Sequence, residues 1–140
     1  VQFELLVEFI IREWMLVAAL AIVLALLFWH ESRKAGPAVT PQQAINLAND
    51  EQGVFLDIRA LKDYERAHIT NALNIPYASL DHRMTELDKY KDKPIIIVCR
   101  LGQTAGSAAK LLRAKGFERA QKMSGGMIEW ESLKLPVVRS

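Results

Sequence analysis

A single cysteine, Cys99, occurs in the 140 residues, so an internal disulfide is excluded and a reducing compartment is the natural setting. No second cysteine follows at C-x-x-C spacing, because position 102 is Gly102, and dithiol exchange of the thioredoxin type is excluded with it. Histidine is equally scarce: His30, His68 and His82 show no paired-ligand spacing with one another or with the cysteine. Neither a metal nor a cofactor is therefore expected. A large excess of charge of one sign is missing too. The formal balance is +2, the basic residues are scattered, and "LDKYKDKP" alternates both signs as a solvated face does, which argues against a nucleic-acid partner. No repeat or low-complexity segment is visible.

What the chain does have is an uneven distribution of apolar residues. Residues 14–29, "WMLVAALAIVLALLFW", carry no charge, whereas the remainder reads as an ordinary domain with 24% charged residues overall. At about 1.5 Å per residue that run gives a helix of roughly 24 Å, slightly short of the hydrocarbon core of about 30 Å. The preceding "FELLVEFIIREW" continues a helical pattern, so Phe9, Ile10 and Ile11 extend the span if Arg12 and Glu13 reach the headgroups. Trp14 and Trp29 bracket the run as interface anchors. A retained transmembrane helix over residues 1–31 is expected rather than a secretory signal, since the first residues are acidic and no A-x-A site follows Trp29.

Arg33 and Lys34 follow the span against Arg12 before it, which orients the larger C-terminal part toward the cytoplasm. The free thiol agrees. From Ser32 onward 17 basic residues face 12 acidic ones, a mild positive balance suited to small anionic molecules or an anionic lipid surface.

Residues 32–39, with Gly36 and Pro37, read as a linker. Thr40 and Pro41 then make an N-cap and first helical position for "TPQQAINLAND". "GVFLDI" and "ALNIPY" read as short extended pieces, with the polar "LKDYERAH" between them as turn or short helix. "SLDHRMTELDKY" has helical spacing, with Leu80, Met84 and Leu87 on one face. "PIIIVC" is apolar on both faces, as a central strand of a covered parallel sheet must be. A helix over roughly Gln103–Lys115 places Ala105, Ala108, Ala109, Leu111 and Leu112 inward and stops at Gly116. "RAQKM" and "GGMIEWESL" follow as a last strand and a last helix. This alternation predicts an α/β domain of about a hundred residues with a mostly parallel sheet.

Cys99 ends the strongest strand, and in open α/β sheets sites form beyond the carboxyl ends of strands. The loop from Arg100 to Thr104 leads into a helix N-terminus, where N–H groups and the dipole favour negative charge. A thiol of ordinary acidity, with a pKa of about 8.5, is only about 3% ionised at neutral pH. A nucleophilic cysteine therefore needs surroundings that favour its anion, and the helix terminus, the loop donors and Arg100 are the groups available. Local context fits equally a nucleophile and a small buried hydrophobe. Phosphoryl transfer is disfavoured, because the arginine such loops carry six positions after the cysteine is Ala105 here.

Taken together, the motifs resemble those of the rhodanese (sulfurtransferase) superfamily. "FLDIRALKDYERAHITNALNIP" is similar to its first signature, in Asp57, Arg59, Tyr64, Glu65, His68, Ile69, Ala72, Asn74, Ile75 and Pro76. "CRLGQT" is similar to the six-residue active-site loop of thiosulfate-type members. "GFERAQKMSGGMIEWESLKLPV" is similar to the C-terminal signature, with Gly125, Gly126 and Trp130. The similarity runs from about Thr40 to Val138, and the anchor adds a likeness to membrane-attached, single-domain members from Gram-negative bacteria.

The resemblance implies a three-layer rhodanese-like α/β domain over residues 40–140, behind one transmembrane helix in a bacterial inner membrane. It implies a sulfurtransferase in which Cys99 attacks the outer sulfur of a donor such as thiosulfate, carries it as a persulfide, and passes it to cyanide or a thiol. Arg100, Leu101, Gly102, Gln103 and Thr104 would bind the donor and the persulfide. Asp57 and Arg59 would brace the loops through an ion pair, with His68, Gly125 and Gly126 in structural support. Two departures stand out. Ala67 and Asn71 occupy positions usually held by glycine, and asparagine tolerates positive φ where alanine does so poorly. Leu101 replaces a lysine or other polar residue, leaving the loop less positive and its tip free to face a protein carrier or a bilayer. An alternative function is that of an adaptor, weak in catalysis, that binds membrane proteins through the same fold.

Overall fold

In a computed structural model, which describes residues 1–30 in full, the backbone of 31–34, and residues 38–140, the chain divides into two units, Val1–Lys34 and Ala35–Ser140. The first consists of two helices, α1 (Gln2–Arg12) and α2 (Trp14–Lys34). The uninterrupted helix expected through Arg12 and Glu13 is instead broken there, with α1 and the Trp14–His30 stretch meeting at 85°. Glu13 leaves the helical region at φ −107, ψ 34, while its N–H still bonds Phe9 O. Its own carbonyl accepts from Leu16 and Val17, at 2.9 and 3.1 Å, and so starts the next helix. Among the described residues no single helix is long and apolar enough to cross a membrane, although the bent pair passes that test together.

The segment expected as a linker over 32–39 is regular structure at both ends. The helix continues through Ser32, Arg33 and Lys34, Gly36 and Pro37 lie outside the described residues, and Ala38–Val39 form strand β1. Two residues are too few for a periodic signal, and only pairing with a later strand makes β1 visible.

The second unit opens as expected. Thr40 caps α3 (Pro41–Asp50), its hydroxyl accepting from Gln43 N–H while the Gln43 side chain accepts from Thr40 N–H, a reciprocal pairing that satisfies two helix-end donors. β2 (Val54–Asp57), α4 (Leu61–Arg66), β3 (His68–Ile69) and β4 (Leu73–Asn74) follow. The segment expected as one helix divides at Met84 into α5 (Tyr77–Arg83) and a 3₁₀ helix, Met84–Tyr90. Leu80, Met84 and Leu87 are nevertheless all buried. β5 (Ile95–Val98), α6 (Gln103–Ala114), β6 (Ala120–Met123), α7 (Gly126–Ser132) and β7 (Val137–Val138) complete the unit.

Five strands form one sheet in the order β1-β6-β5-β2-β4, all neighbours parallel. β3 and β7 pair antiparallel apart from it, His68 opposite Val138. β5 is central and buried along its whole length, which is why its sequence does not alternate. Its side chains divide between the two faces. Ile95, Ile97 and Cys99 join the cluster of α5, the 3₁₀ helix and α6, with Leu80, Leu87, Ala105, Ala109 and Leu112. Ile96 and Val98 join the cluster of α3 and α7, with Ala44, Met127 and Trp130. The domain is thus three layers with the sheet in the middle, and the residue after Val98 is delivered to the open carboxyl end of that sheet.

Candidate active site

Cys99 follows the last residue of β5 and is 6% exposed. Its Sγ accepts a hydrogen bond from the Gly102 N–H at 2.9 Å, so the sulfur is turned into the loop even though the residue borders the core. Gly102 can make this turn because its φ of +95 lies in the left-handed region, where a side chain would be strained. It is also the N-cap of α6, which carries no side-chain cap. The loop therefore takes four residues, Cys99 to Gly102, from the strand end to a helix whose first-turn N–H groups are not covered by a capping side chain. Arg100, Leu101, Gln103 and Thr104 are exposed, while Gly102 is buried. Of the N–H groups expected to converge between Arg100 and Thr104, Gly102 alone bonds Sγ among the described residues.

The other wall of the loop comes from the paired glycines. Met127 N–H donates to Cys99 O at 2.8 Å, and Ile128 N–H donates to Arg100 O at 3.2 Å. The first turn of α7 thus uses its spare donors to pin the backbone of the cysteine and its neighbour. Gly126 stands at φ +58, and a Cβ there would fall against the carbonyl oxygens of Cys99 and Arg100, the latter at 2.6 Å. Gly125 is also left-handed, at φ +75, and its amide nitrogen would lie 3.2 Å from a Cβ on Gly102. The glycines of the two motifs therefore meet. Backbone approaches backbone there with no room for a side chain between them.

Asp57 ends β2, beside Val98 in register, and is 1% exposed. Arg59 approaches it with a planar fork: Nε lies 3.0 and 3.1 Å from the two carboxylate oxygens and Nη2 lies 2.7 Å from Oδ2. Arg59 N–H adds a further bond at 3.0 Å, and Nη2 also donates to Ala67 O. The pair is thus a brace that ties the end of β2 to the end of α4, as a buried ion pair must be when its remaining donors are satisfied. Asn74 reinforces it, Nδ2 donating to the carbonyls of both Asp57 and Arg59 at 3.0 Å. Nothing in composition pointed to Asn74; its signal was its place in the N-I-P motif.

His68, on β3, is buried. Its Nδ1 lies 2.8 Å from Tyr64 O, a geometry that makes Nδ1 the protonated nitrogen, since a carbonyl only accepts. Its ring stacks on Tyr64, centroids 3.8 Å apart. Tyr64 in turn donates its hydroxyl to Ala72 O at 2.6 Å. Burial, and then the negative charge of Asp57, push the Tyr64 phenol above its usual pKa. At the two departures the backbone differs as well. Asn71 is left-handed at φ +65, whereas Ala67 is extended at φ −168, a conformation that asks nothing of a glycine.

Residues 40–133 match the family model described as "Rhodanese-like domain". The uncharacterized protein YibN of Escherichia coli is 32% identical over 124 residues, covering 88% of this chain and 86% of that protein. The thiosulfate sulfurtransferase GlpE of Pseudoalteromonas translucida is 38% identical over 90 residues, covering 64% of this chain and 84% of GlpE. Among solved structures, a rhodanese-related protein from Thermoplasma volcanium superposes with a TM-score of 0.64 at 23% identity, covering 74% of this chain and 98% of that one.

Proposed function

The chain belongs to the rhodanese-like family, and from that premise we propose that it is a membrane-anchored sulfurtransferase working through a Cys99 persulfide. The Cys99 thiolate attacks the outer sulfur of a thiosulfate-type donor. A new S–S bond forms, the donor's own S–S bond breaks, and sulfite leaves with the electron pair. Cyanide or a thiolate then attacks the outer sulfur of the persulfide and takes it, returning the Cys99 thiolate. A persulfide S–S bond of about 2.05 Å carries the outer sulfur past Sγ toward the mouth of the loop. Main-chain N–H groups of the loop and of the first turn of α6 stabilise its charge there, in the way an oxyanion hole acts on developing charge. Arg100 draws in the anionic donor, and the Thr104 hydroxyl supplies one more hydrogen bond.

The observation that carries this reading is the Gly102 N–H···Sγ bond at 2.9 Å, within a loop whose backbone is pinned by α7. A cysteine that only filled the core would need neither. Support for the anchor is the charge-free stretch from Trp14 to Trp29; the proposal extends to a bacterial inner membrane with the domain in the cytoplasm, on the strength of Arg33 and Lys34 after the span. Resident cofactors or metals play no part in the scheme.

The second reading, an adaptor that binds membrane-protein partners, is favoured by Leu101, 54% exposed at the loop tip. The experiment that separates the two uses the full chain in detergent micelles with thiosulfate and cyanide. Thiocyanate release from the wild type, absent from Cys99→Ser, is expected. Equal rates from both proteins would remove the enzymatic reading.

A further inference from the structure

Helix α1 differs from α2 in kind. On a helical projection Glu4, Glu8 and Arg12 fall in one narrow stripe, spaced i, i+4 and i+8, while Phe3, Leu5, Leu6, Val7, Phe9, Ile10 and Ile11 occupy the rest with Gln2, at the helix start, the one polar residue among them. α2 has no such stripe between Trp14 and Trp29. The 85° bend falls at Glu13, where the one character gives way to the other. No residue of α1 is buried, and Phe3 is 75% and Phe9 57% exposed.

We propose that α1 is an interfacial leg: it lies in the headgroup plane of the same bilayer that α2 crosses, its apolar face down and its Glu4–Glu8–Arg12 stripe toward water. The proposal rests on the membrane-anchor reading of α2 and goes beyond it. Residues Trp14–His30 make about 25 Å of helix at 1.5 Å per residue, a few ångströms short of the hydrocarbon core, and the helix runs on to Lys34, so that slight thinning or snorkelling at its ends completes the span without α1. A straight helix from Gln2 would be about 43 Å long and would draw Glu8, Arg12 and Glu13 into hydrocarbon or leave apolar α1 in water. A bend near a right angle removes both costs, because a helix perpendicular to a spanning one lies in the interface. The wide apolar face suits deep seating there, and Trp14 at the corner sits at headgroup level. The stripe and its corner hold Glu4, Glu8 and Glu13 against Arg12. That acidity favours the leaflet opposite the anionic cytoplasmic one. The occupant of the α1 face is thus lipid, and the leg fixes the tilt and depth of the anchor.

The test uses the full chain with Cys99→Ser, reconstituted in phosphatidylcholine–phosphatidylglycerol nanodiscs, with single spin-labelled cysteines along α1 and along the middle of α2. Accessibility to oxygen, which concentrates in lipid, is compared with that to a water-soluble nickel chelate. The expected result is a helical period in α1, oxygen prevailing at positions 3, 6 and 10 and chelate at 4 and 8, with oxygen prevailing at every α2 position. A steady rise of oxygen access from position 2 to 12 without a period would overturn the proposal, since α1 would then continue the span. Chelate prevailing throughout α1 would overturn it in favour of a water-exposed helix. Immobilised labels at 3, 6 and 10 with little access to either reagent would overturn it in favour of a protein partner or a second copy. If α2 itself favours chelate, the anchor reading fails, a result distinct from all of these.

Discussion

Replacing Gly126 by alanine tests the loop architecture at one methyl group. At φ +58 the residue sits in the left-handed region, where an L side chain costs about 1–2 kcal/mol. The added Cβ also meets the Cys99 and Arg100 carbonyls, the second at 2.6 Å. Backbone on both sides leaves no flexible side chain to give way, so the loop and α7 must part. Parting weakens the Met127 N–H···Cys99 O and Ile128 N–H···Arg100 O bonds, each worth about 1 kcal/mol. The sum is a loss of about 3–4 kcal/mol, within what a domain stable by about 5–15 kcal/mol survives. A displacement of the nucleophile by about 1 Å lowers turnover by about 100-fold. Urea denaturation and thiocyanate release measure the two effects on one preparation. Gly116→Ala is the control: it is also left-handed, at φ +99, but its Cβ meets only the flexible end of Lys91, so it loses about 1–2 kcal/mol and keeps its rate. A Gly126→Ala protein with wild-type midpoint and rate would refute the reasoning.

Other outcomes follow from the same geometry. Asp57→Ala leaves the Arg59 guanidinium, 10% exposed, without its carboxylate and lowers stability by about 3–5 kcal/mol; adding Arg59→Met recovers part of this in a denaturant double-mutant cycle, and a purely additive cycle would contradict the brace. Tyr64→Phe removes the bond to Ala72 O at a cost of about 1 kcal/mol. Because the folded-state Tyr64 pKa is raised, its titration contributes stability that is complete below the ordinary tyrosine pKa of about 10 and is lost as pH rises through the folded value. The wild type should therefore lose more stability in alkaline denaturation series than Tyr64→Phe, and parallel curves would count against the assignment. Leu101→Lys brings a cation to the loop tip and lowers the KM for thiosulfate about fivefold, equivalent to about 1 kcal/mol of weakly screened Coulomb attraction. The gain fades with added salt, and an unchanged KM at low ionic strength would argue against an anionic donor at that loop.

Much of this was legible because it rests on local patterns. The β5 run is continuously apolar, so its central place could be read from residues 95–98, and with it the delivery of Cys99 to the sheet's carboxyl end. Thr40 and Pro41 announced α3 in the same way. What stayed hidden depends on partners distant in sequence. β1, β3, β4 and β7 are two residues each and exist only through the strands they pair with; β4 alone lay inside a segment already read as extended. The reason for Gly126 is a carbonyl 27 positions earlier, that of Cys99, and the glycine pair could be placed in a motif but not explained. Asn74 likewise owes its role to Asp57 and Arg59, more than ten residues upstream. The break at Glu13 was missed because helical periodicity persists on both sides of it, and only the change from striped to uniformly apolar marks the corner.

The central claim is that Cys99 holds transferable sulfur, and intact-mass measurement of the full chain after incubation with thiosulfate addresses it directly. The account predicts a gain of one sulfur atom per chain, mapped to the Cys99 peptide, released by cyanide and absent from Cys99→Ser. A wild-type mass unchanged by thiosulfate and by other sulfane-sulfur donors would contradict it.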